Sequence, residues 1–309
     1  RVTEEDEEGK KLVAELRAKE PGVTKGTHVH LAARMLPGVR DLTVTAHLDP
    51  VVTKVAGWFD VKLEEFEPIA VRIDPADWRR SAVHAEIVVR RTTLARLLPK
   101  LADAPFPLPA LSLLSDGKPG GGLMEAVGAG KVTDLTLDAV FATDGRVEIG
   151  WSLLRYLRAD AERWKAFLAV TKKQDVAAIR KWLDGIEGLE AAWRKHVGTW
   201  KIETAEQYVD AAYVSLNARR MRRAAMLFSA AIDKGTKERG AFEGLAEIHV
   251  LDGRPGLARL AWEKALKADP LNVRARRSIG VYLSEKRSAQ VGGLYLKLAD
   301  EIEKALGGG

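Results

Sequence analysis

Histidine is scarce in this chain, with six among 309 residues, so its placement bounds the metal chemistry available. His28-x-His30 sets two imidazoles on one side of an expected strand, and His47 falls on an expected neighbour. Such a set could hold zinc or copper at the surface. No carboxylate or thiolate is spaced to complete the shell, so two polar residues on a solvent face is the simpler reading. Ser81 and His84 fall three apart on another expected strand, which sends them to opposite faces. Ser112 and Ser115 have no histidine nearby and no G-x-S-x-G around them. Gly128-Ala-Gly130-Lys131 has the end of a phosphate loop, but Glu125 stands at the earlier glycine position and Val132 replaces the magnesium-binding hydroxyl. It reads as a loop.

Arginine is the other chemically capable residue. Arg219, Arg220, Arg222 and Arg223 form the densest charge cluster, and Arg274, Arg276 and Arg277 form a second basic patch. Either could capture an acidic ligand such as a peptide, a polymer or a phosphate. Solvated charge at turns and helix surfaces, offset by Glu238, Glu243 and Glu247, is the favoured reading. No aromatic ladder interleaves with the arginines, which argues against single-stranded nucleic acid.

The whole chain narrows the field. Its length fits about two domains, and an apolar fraction of 46% is ample for real cores. No run of eighteen apolar residues occurs, so no membrane span is expected. Cysteine is absent, which removes disulfides, thiolate catalysis and cysteine-ligated zinc. A net charge of +6 favours acidic partners only weakly. The chain starts at Arg1 rather than Met, as a processed or trimmed product would.

Pattern along the chain then places the elements. Residues 3–19 read as a charged amphipathic helix ended by Pro21-Gly22. Thr27 to Leu31, Leu42 to His47, Pro68 to Ile73 and Ala82 to Val89 read as strands, with a helix from Asp49-Pro50 through Phe59. A helix carrying Leu94, Leu97, Leu98 and Leu101 follows, then a proline-rich turn and a short helix over Leu111 to Leu114. Lys118 to Gly122 is the expected flexible stretch. From Val147 to Val197 the pattern is helical, with Trp151, Trp164, Trp182 and Trp193 as core residues. Trp200, near the expected boundary at Gly198, is the candidate interdomain contact.

Beyond that boundary the chain repeats itself. Tyr208, Ala212, Ala224, Phe228 and Ala231 recur 34 residues later as Phe242, Ala246, Ala258, Trp262 and Ala265, and more weakly as Gly280, Leu296 and Ala299. This resembles tetratricopeptide (TPR) repeats, whose small residues let two helices approach closely while aromatics fill the gaps between pairs. The resemblance implies a protein or peptide partner on a concave face. Carried over to this chain, that face is Val209, Tyr213, Leu216 and Asn217, then Glu243, Glu247, Val250 and Leu251, then Arg274, Arg277, Val281 and Glu285. Docking onto the first domain is expected to occupy part of it.

The order of segments before the boundary resembles peptidase-MA-like (gluzincin-type) metallopeptidases, on Phe66 to Ile73, the helix after it, Leu114-Ser-Asp-Gly117, Trp151 to Leu157 and Leu189 to Arg194. Active members use two histidines and a glutamate in H-E-x-x-H plus a carboxylate from the next helix. The matching residues here are Thr92, Thr93 and Arg96, with Asp116 at the third ligand position. Arginine has no lone pair to donate, and no histidine lies between His84 and His196. The resemblance therefore implies a degenerate copy without zinc, cofactor or hydrolysis, in which Arg96 pairs with Asp116 across the former metal site. It also implies an extracytoplasmic location in a bacterial complex.

The expected architecture is α+β: residues 1–24 as helix and linker, 25–197 as a mixed strand and helix gluzincin-like domain, and 198–309 as an all-α repeat array. The leading expectation is a non-catalytic scaffold or adaptor. A hydrolase built around His28, His30 and His47, or a structural subunit of a larger assembly, is the alternative.

Overall fold

A computed structural model describes residues 10–11, 22–25, 29–33, 41–63, 67–72, 78–115, 120–128, 134–143 and 146–306. These residues are mostly helical. Most of the expected 3–19 helix lies outside them.

Three short strands form one sheet in the order β1 (Gly22–Lys25), β2 (Val29–Ala33), β3 (Ile69–Arg72). β2 pairs antiparallel with β1 and parallel with β3, Val29 lying opposite Ile69. A parallel pair needs a crossover, and α1 (Asp41–Trp58) supplies it. Val29, Ile69 and Val71 pack against Leu48 and Val52 of α1 and against Ala85 and Val89 of α2 (Trp78–Leu97).

Two expected strands are helices. Leu42 to His47 alternates, yet it belongs to α1, because Leu48, Val52, Val55, Ala56 and Phe59 are all buried at helical spacing. That apolar stripe outweighs both the local alternation and Pro50, which sits inside the helix and donates no backbone N–H. Ala82 to Val89, rich in β-branched residues, belongs to α2, whose buried stripe runs on through Thr93 and Leu94. His47 is thus on a helix, not on a strand beside His30. Ser81 and His84 lie on α2 rather than on a strand. His28 lies outside the described residues.

A 3₁₀ turn (Pro99–Leu101), α3 (Leu108–Ser112), α4 (Gly121–Gly128) and α5 (Leu137–Phe141) lead into four packed helices. These are α6 (Val147–Arg158), α7 (Ala161–Thr171), α8 (Val176–Asp184) and α9 (Leu189–Gly198). Asp160 caps α7 by accepting from the Arg163 N–H at 2.8 Å, and Asp175 caps α8 from Ala177 at 2.9 Å. Trp151, Phe167, Leu154, Ile179 and Trp193 fill the core between them, with the Trp193 indole donating to the buried Ser152 hydroxyl at 3.0 Å.

Six helices follow as three hairpins. They are α10 (Ala205–Asn217) with α11 (Met221–Asp233), α12 (Arg239–Leu251) with α13 (Pro255–Ala268), and α14 (Val273–Lys286) with α15 (Ala289–Leu306). The first helices start at 205, 239 and 273 and the second at 221, 255 and 289, so both series advance by 34 residues. A capping box of Thr204 and Gln207 starts α10, and Asn272 caps α14. Three small residues per hairpin are buried where its helices meet: Ala212, Ala224 and Ala231, then Ala246, Ala258 and Ala265, then Gly280, Gly292 and Ala299. The Phe228 ring lies over Gly244 of the next hairpin, where a Cβ would come within 2.0 Å of the ring.

Candidate functional site

The joint between the two halves is built on α4. Gly121 and Gly122, expected to be flexible, instead open this helix and press it against α10; a Cβ on Gly121 would lie 1.8 Å from the Gln207 carbonyl oxygen. Met124 and Val127 of α4 bury themselves in the front core. Glu125 turns the other way, accepting from the Ser215 hydroxyl at 2.7 Å and from Arg223 at 3.0 Å, with Arg220 at 3.6 Å. Burial alone would raise this carboxyl, but the bonds from Arg223 and Ser215 and the charges of Arg223 and Arg220 outweigh it and hold it below the usual carboxylate range.

That joint accounts for half of the first arginine cluster. Arg220 and Arg223 are engaged by Glu125 within the chain, while Arg219 and Arg222 are exposed. Arg219 closes the first hairpin in the left-handed region, with φ of 57°, where Gly253 stands at φ of 69° in the second. The second basic patch is divided as well. Arg276 is fully buried, donating to the Pro270 carbonyl at 2.8 Å, so it is not a surface charge.

Burial also revises the expected concave face. Val209, Leu216 and Glu243 are all less than 8% exposed. Val209 and Leu216 join the core around Phe228 and Ala241, because the next hairpin closes over that side of α10. Glu243 accepts from the Asn272 side chain at 2.5 Å and so links two hairpins. Tyr213 is half-buried and donates to the Gly240 carbonyl at 2.8 Å. Arg277 is held by Asp300 at 2.8 Å and Glu303 at 2.6 Å. Asn217, Val250, Leu251, Val281 and Glu285 are exposed, and Arg274 reaches Glu247 at 3.2 Å beside the Trp262 ring.

At the positions matched to the zinc motif, Thr92 is half-buried on α2. The Thr93 hydroxyl is buried and donates back to the Val89 carbonyl at 2.8 Å. Arg96 is exposed and donates to the Glu67 carbonyl at 2.5 Å. Asp116, and with it the expected Arg96–Asp116 pair, lies outside the described residues. α2 is instead tied to α3 by Arg90, which donates to the Ser112 carbonyl at 3.2 Å and pairs with Glu86. Among the described residues no group of three or more His, Asp or Glu is placed to hold a metal ion. No helix among them is long and apolar enough to cross a membrane.

Between α6 and α9 a cavity of about 310 Å³ is lined by Ser115, Arg155, Arg158, Ala159, His196 and Trp200. Arg155 and Arg158, three apart on α6, share one face. Arg155 lies over the Trp151 ring, and Arg158 lies over Trp58 and Trp164 while donating to the Ser115 carbonyl at 3.3 Å. Burial lowers both guanidinium pKa values, and the Arg158 charge lowers Arg155 further. Burial, then the charges of Arg155 and Arg163, holds His196 below its ordinary value, so it stays neutral at pH 7. The Trp200 ring packs on Trp151 and His196, with centroids 5.3 Å and 5.8 Å away, so it belongs to the front core; Ile202, two residues on, touches both cores.

This cavity escaped the sequence reading. The trace it leaves is Arg155-x-x-Arg158 on the otherwise apolar end of a helix, with no acidic residue between them. Glu125 left a similar trace, a lone charge between Met124 and Val127. Comparison of the chain with known protein families, with curated proteins and with solved structures finds no match.

Proposed function

We propose that this chain is a non-catalytic scaffold or adaptor that holds a protein or peptide on its array of helix hairpins. In this reading the hairpins are tetratricopeptide repeats, the front half is a pseudo-metallopeptidase, and the protein works in an extracytoplasmic complex. The observation that carries it is a set of large apolar side chains left in water on the first helices of the second and third hairpins. Val250, Leu251 and Val281 are 56%, 59% and 48% exposed. They lie on the same helices as Glu247 and Arg274, so apolar anchors and a charged pair are presented together, as a peptide groove requires. The loss of hydrolysis is supported by residue chemistry: the Thr93 hydroxyl is committed to its own helix, and Arg96 is a cation where a zinc ligand would stand.

The test is direct. A partner recovered with the tagged protein and mapped by cross-linking should bind Val250→Asp/Leu251→Asp at least about tenfold more weakly, a loss of about 1.4 kcal/mol. Equal affinity in the double variant would reject this face as the docking surface. Stoichiometric zinc together with metal-dependent peptide cleavage would reject the non-catalytic half of the reading.

A further inference from the structure

The second helices of the three hairpins carry apolar side chains in water at one repeated position. Met226, Leu260 and Leu294 are 66%, 46% and 55% exposed, and each is the sixth residue of its helix, α11, α13 or α15. Two residues before each of them, Ala224, Ala258 and Gly292 are buried where the hairpin's own helices meet, so the two sets point to opposite sides. Leu257 and Val291, one turn earlier, are exposed as well and widen the stripe. In the first hairpin Arg223 takes that place and is engaged by Glu125. A single exposed leucine needs no cause, but this position stays large and apolar in all three hairpins without serving their packing.

Cations stand beside the stripe in every hairpin. Arg222 lies one turn before Met226, Lys264 one turn after Leu260 and Lys297 one turn after Leu294, and all three are exposed. The carboxylates of the same helices are engaged or further off. Glu263 pairs with Arg259, Asp300 and Glu303 hold Arg277, and Asp233 and Glu301 lie two turns beyond Met226 and Leu294.

We propose that this stripe docks an acidic amphipathic helix of another protein. One apolar anchor per hairpin, at a repeating interval, is what the apolar side of a helix can cover, and the unbranched Met226 adapts to its shape. The partner's carboxylates meet Arg222, Lys264 and Lys297. Charge complementarity selects this occupant, because a second copy of the chain would bring the same cations against one another. A bilayer surface favours Trp and Tyr anchors, and the apolar groups of the stripe are Met, Leu and Val.

The stripe lies on the second helices and the docking face proposed above on the first, so either can fail while the other holds. The probe is a synthetic helical peptide with leucines along one side and glutamates flanking them, titrated into the full chain by fluorescence anisotropy. It should bind, and the same peptide with lysine in place of glutamate should bind at least about tenfold more weakly. Leu260→Ser/Leu294→Ser should weaken binding at least about tenfold, and so should Lys264→Glu/Lys297→Glu. All four positions are exposed, so both variants should melt as the wild type does; if the serine variant melts early, the charge reversal decides. Val250→Asp/Leu251→Asp, on α12, should leave this binding unchanged. Absence of binding, equal affinity for the lysine peptide, or wild-type affinity in either stripe variant would overturn the assignment. So would a loss confined to Val250→Asp/Leu251→Asp, a dimer in sedimentation that Leu260→Ser/Leu294→Ser dissolves, or stripe-dependent binding to phosphatidylserine vesicles in place of the peptide.

Discussion

The hairpin array and the helices before it are held by contacts of different reach. In the array, side-chain bonds join neighbouring hairpins: Tyr213 to Gly240 spans 27 residues, Asn272 to Glu243 spans 29 and Arg274 to Glu247 spans 27. In the front half, Trp193 to Ser152 spans 41 residues, Glu190 to Leu137 spans 53 and Lys172 to Asp60 spans 112. The array is a short-range object in which each hairpin needs only the next, whereas the front half must close long loops before its core forms. α4 belongs to both, with Met124 and Val127 in the front core and Glu125 at the first hairpin. It ties the folding of one region to the other.

The strongest way to break that tie is Gly121→Ala. The added Cβ meets backbone at Gln207, which has no rotamer with which to yield. We expect a loss of about 3 kcal/mol and, in calorimetry, two transitions in place of one. A single transition within about 0.5 kcal/mol of the wild type would mean that α4 does not couple the halves.

A somewhat smaller effect separates packing inside the array from packing at the joint. Gly244→Ala drives a Cβ into the Phe228 ring, which is fully buried and cannot swing aside. The expected cost is about 2 kcal/mol. Phe228→Leu alone is destabilising through lost contacts, yet in the double variant the smaller side chain makes room. The double variant should therefore be more stable than the sum of the two singles by about 1 kcal/mol. Strict additivity would show that this contact does not set the spacing of the first two hairpins.

The same contrast explains what could be read from residues alone. The array was legible because its small positions return every 34 residues, so Ala212, Ala246 and Gly280 announce one geometric role three times. In the front half, local pattern competed with tertiary packing. The alternation in Leu42 to His47 and the β-branched run ending at Val89 both read as strand, but each lies on a helix whose buried stripe extends well past the window that suggested otherwise. The glycines before α4 read as flexibility because nothing in sequence shows that a backbone carbonyl 86 residues later will press against Gly121. The cavity was hidden for a related reason. Arg155 and Arg158 share a helix, but Ser115, His196 and Trp200 arrive from distant segments. On the expected concave face, helical spacing put Val209 and Leu216 on one side of α10 correctly, and only the adjoining hairpin decided that this side is covered.

The smallest predicted effect reads the cavity by pH. His196 packs on Tyr156 and Trp200, and burial followed by the positive charges of Arg155 and Arg163 lowers its folded-state pKa below the ordinary value near 6.5. The unfolded chain therefore takes up this proton first as pH falls. The contribution to stability is complete above about pH 6.5 and is lost as pH drops through the folded-state pKa, so stability should decline with acid across that window. His196→Gln, which cannot titrate, should flatten this part of the decline in a comparison of denaturation midpoints between pH 7 and 5.5. A slope unchanged by the substitution would place the titrating group elsewhere.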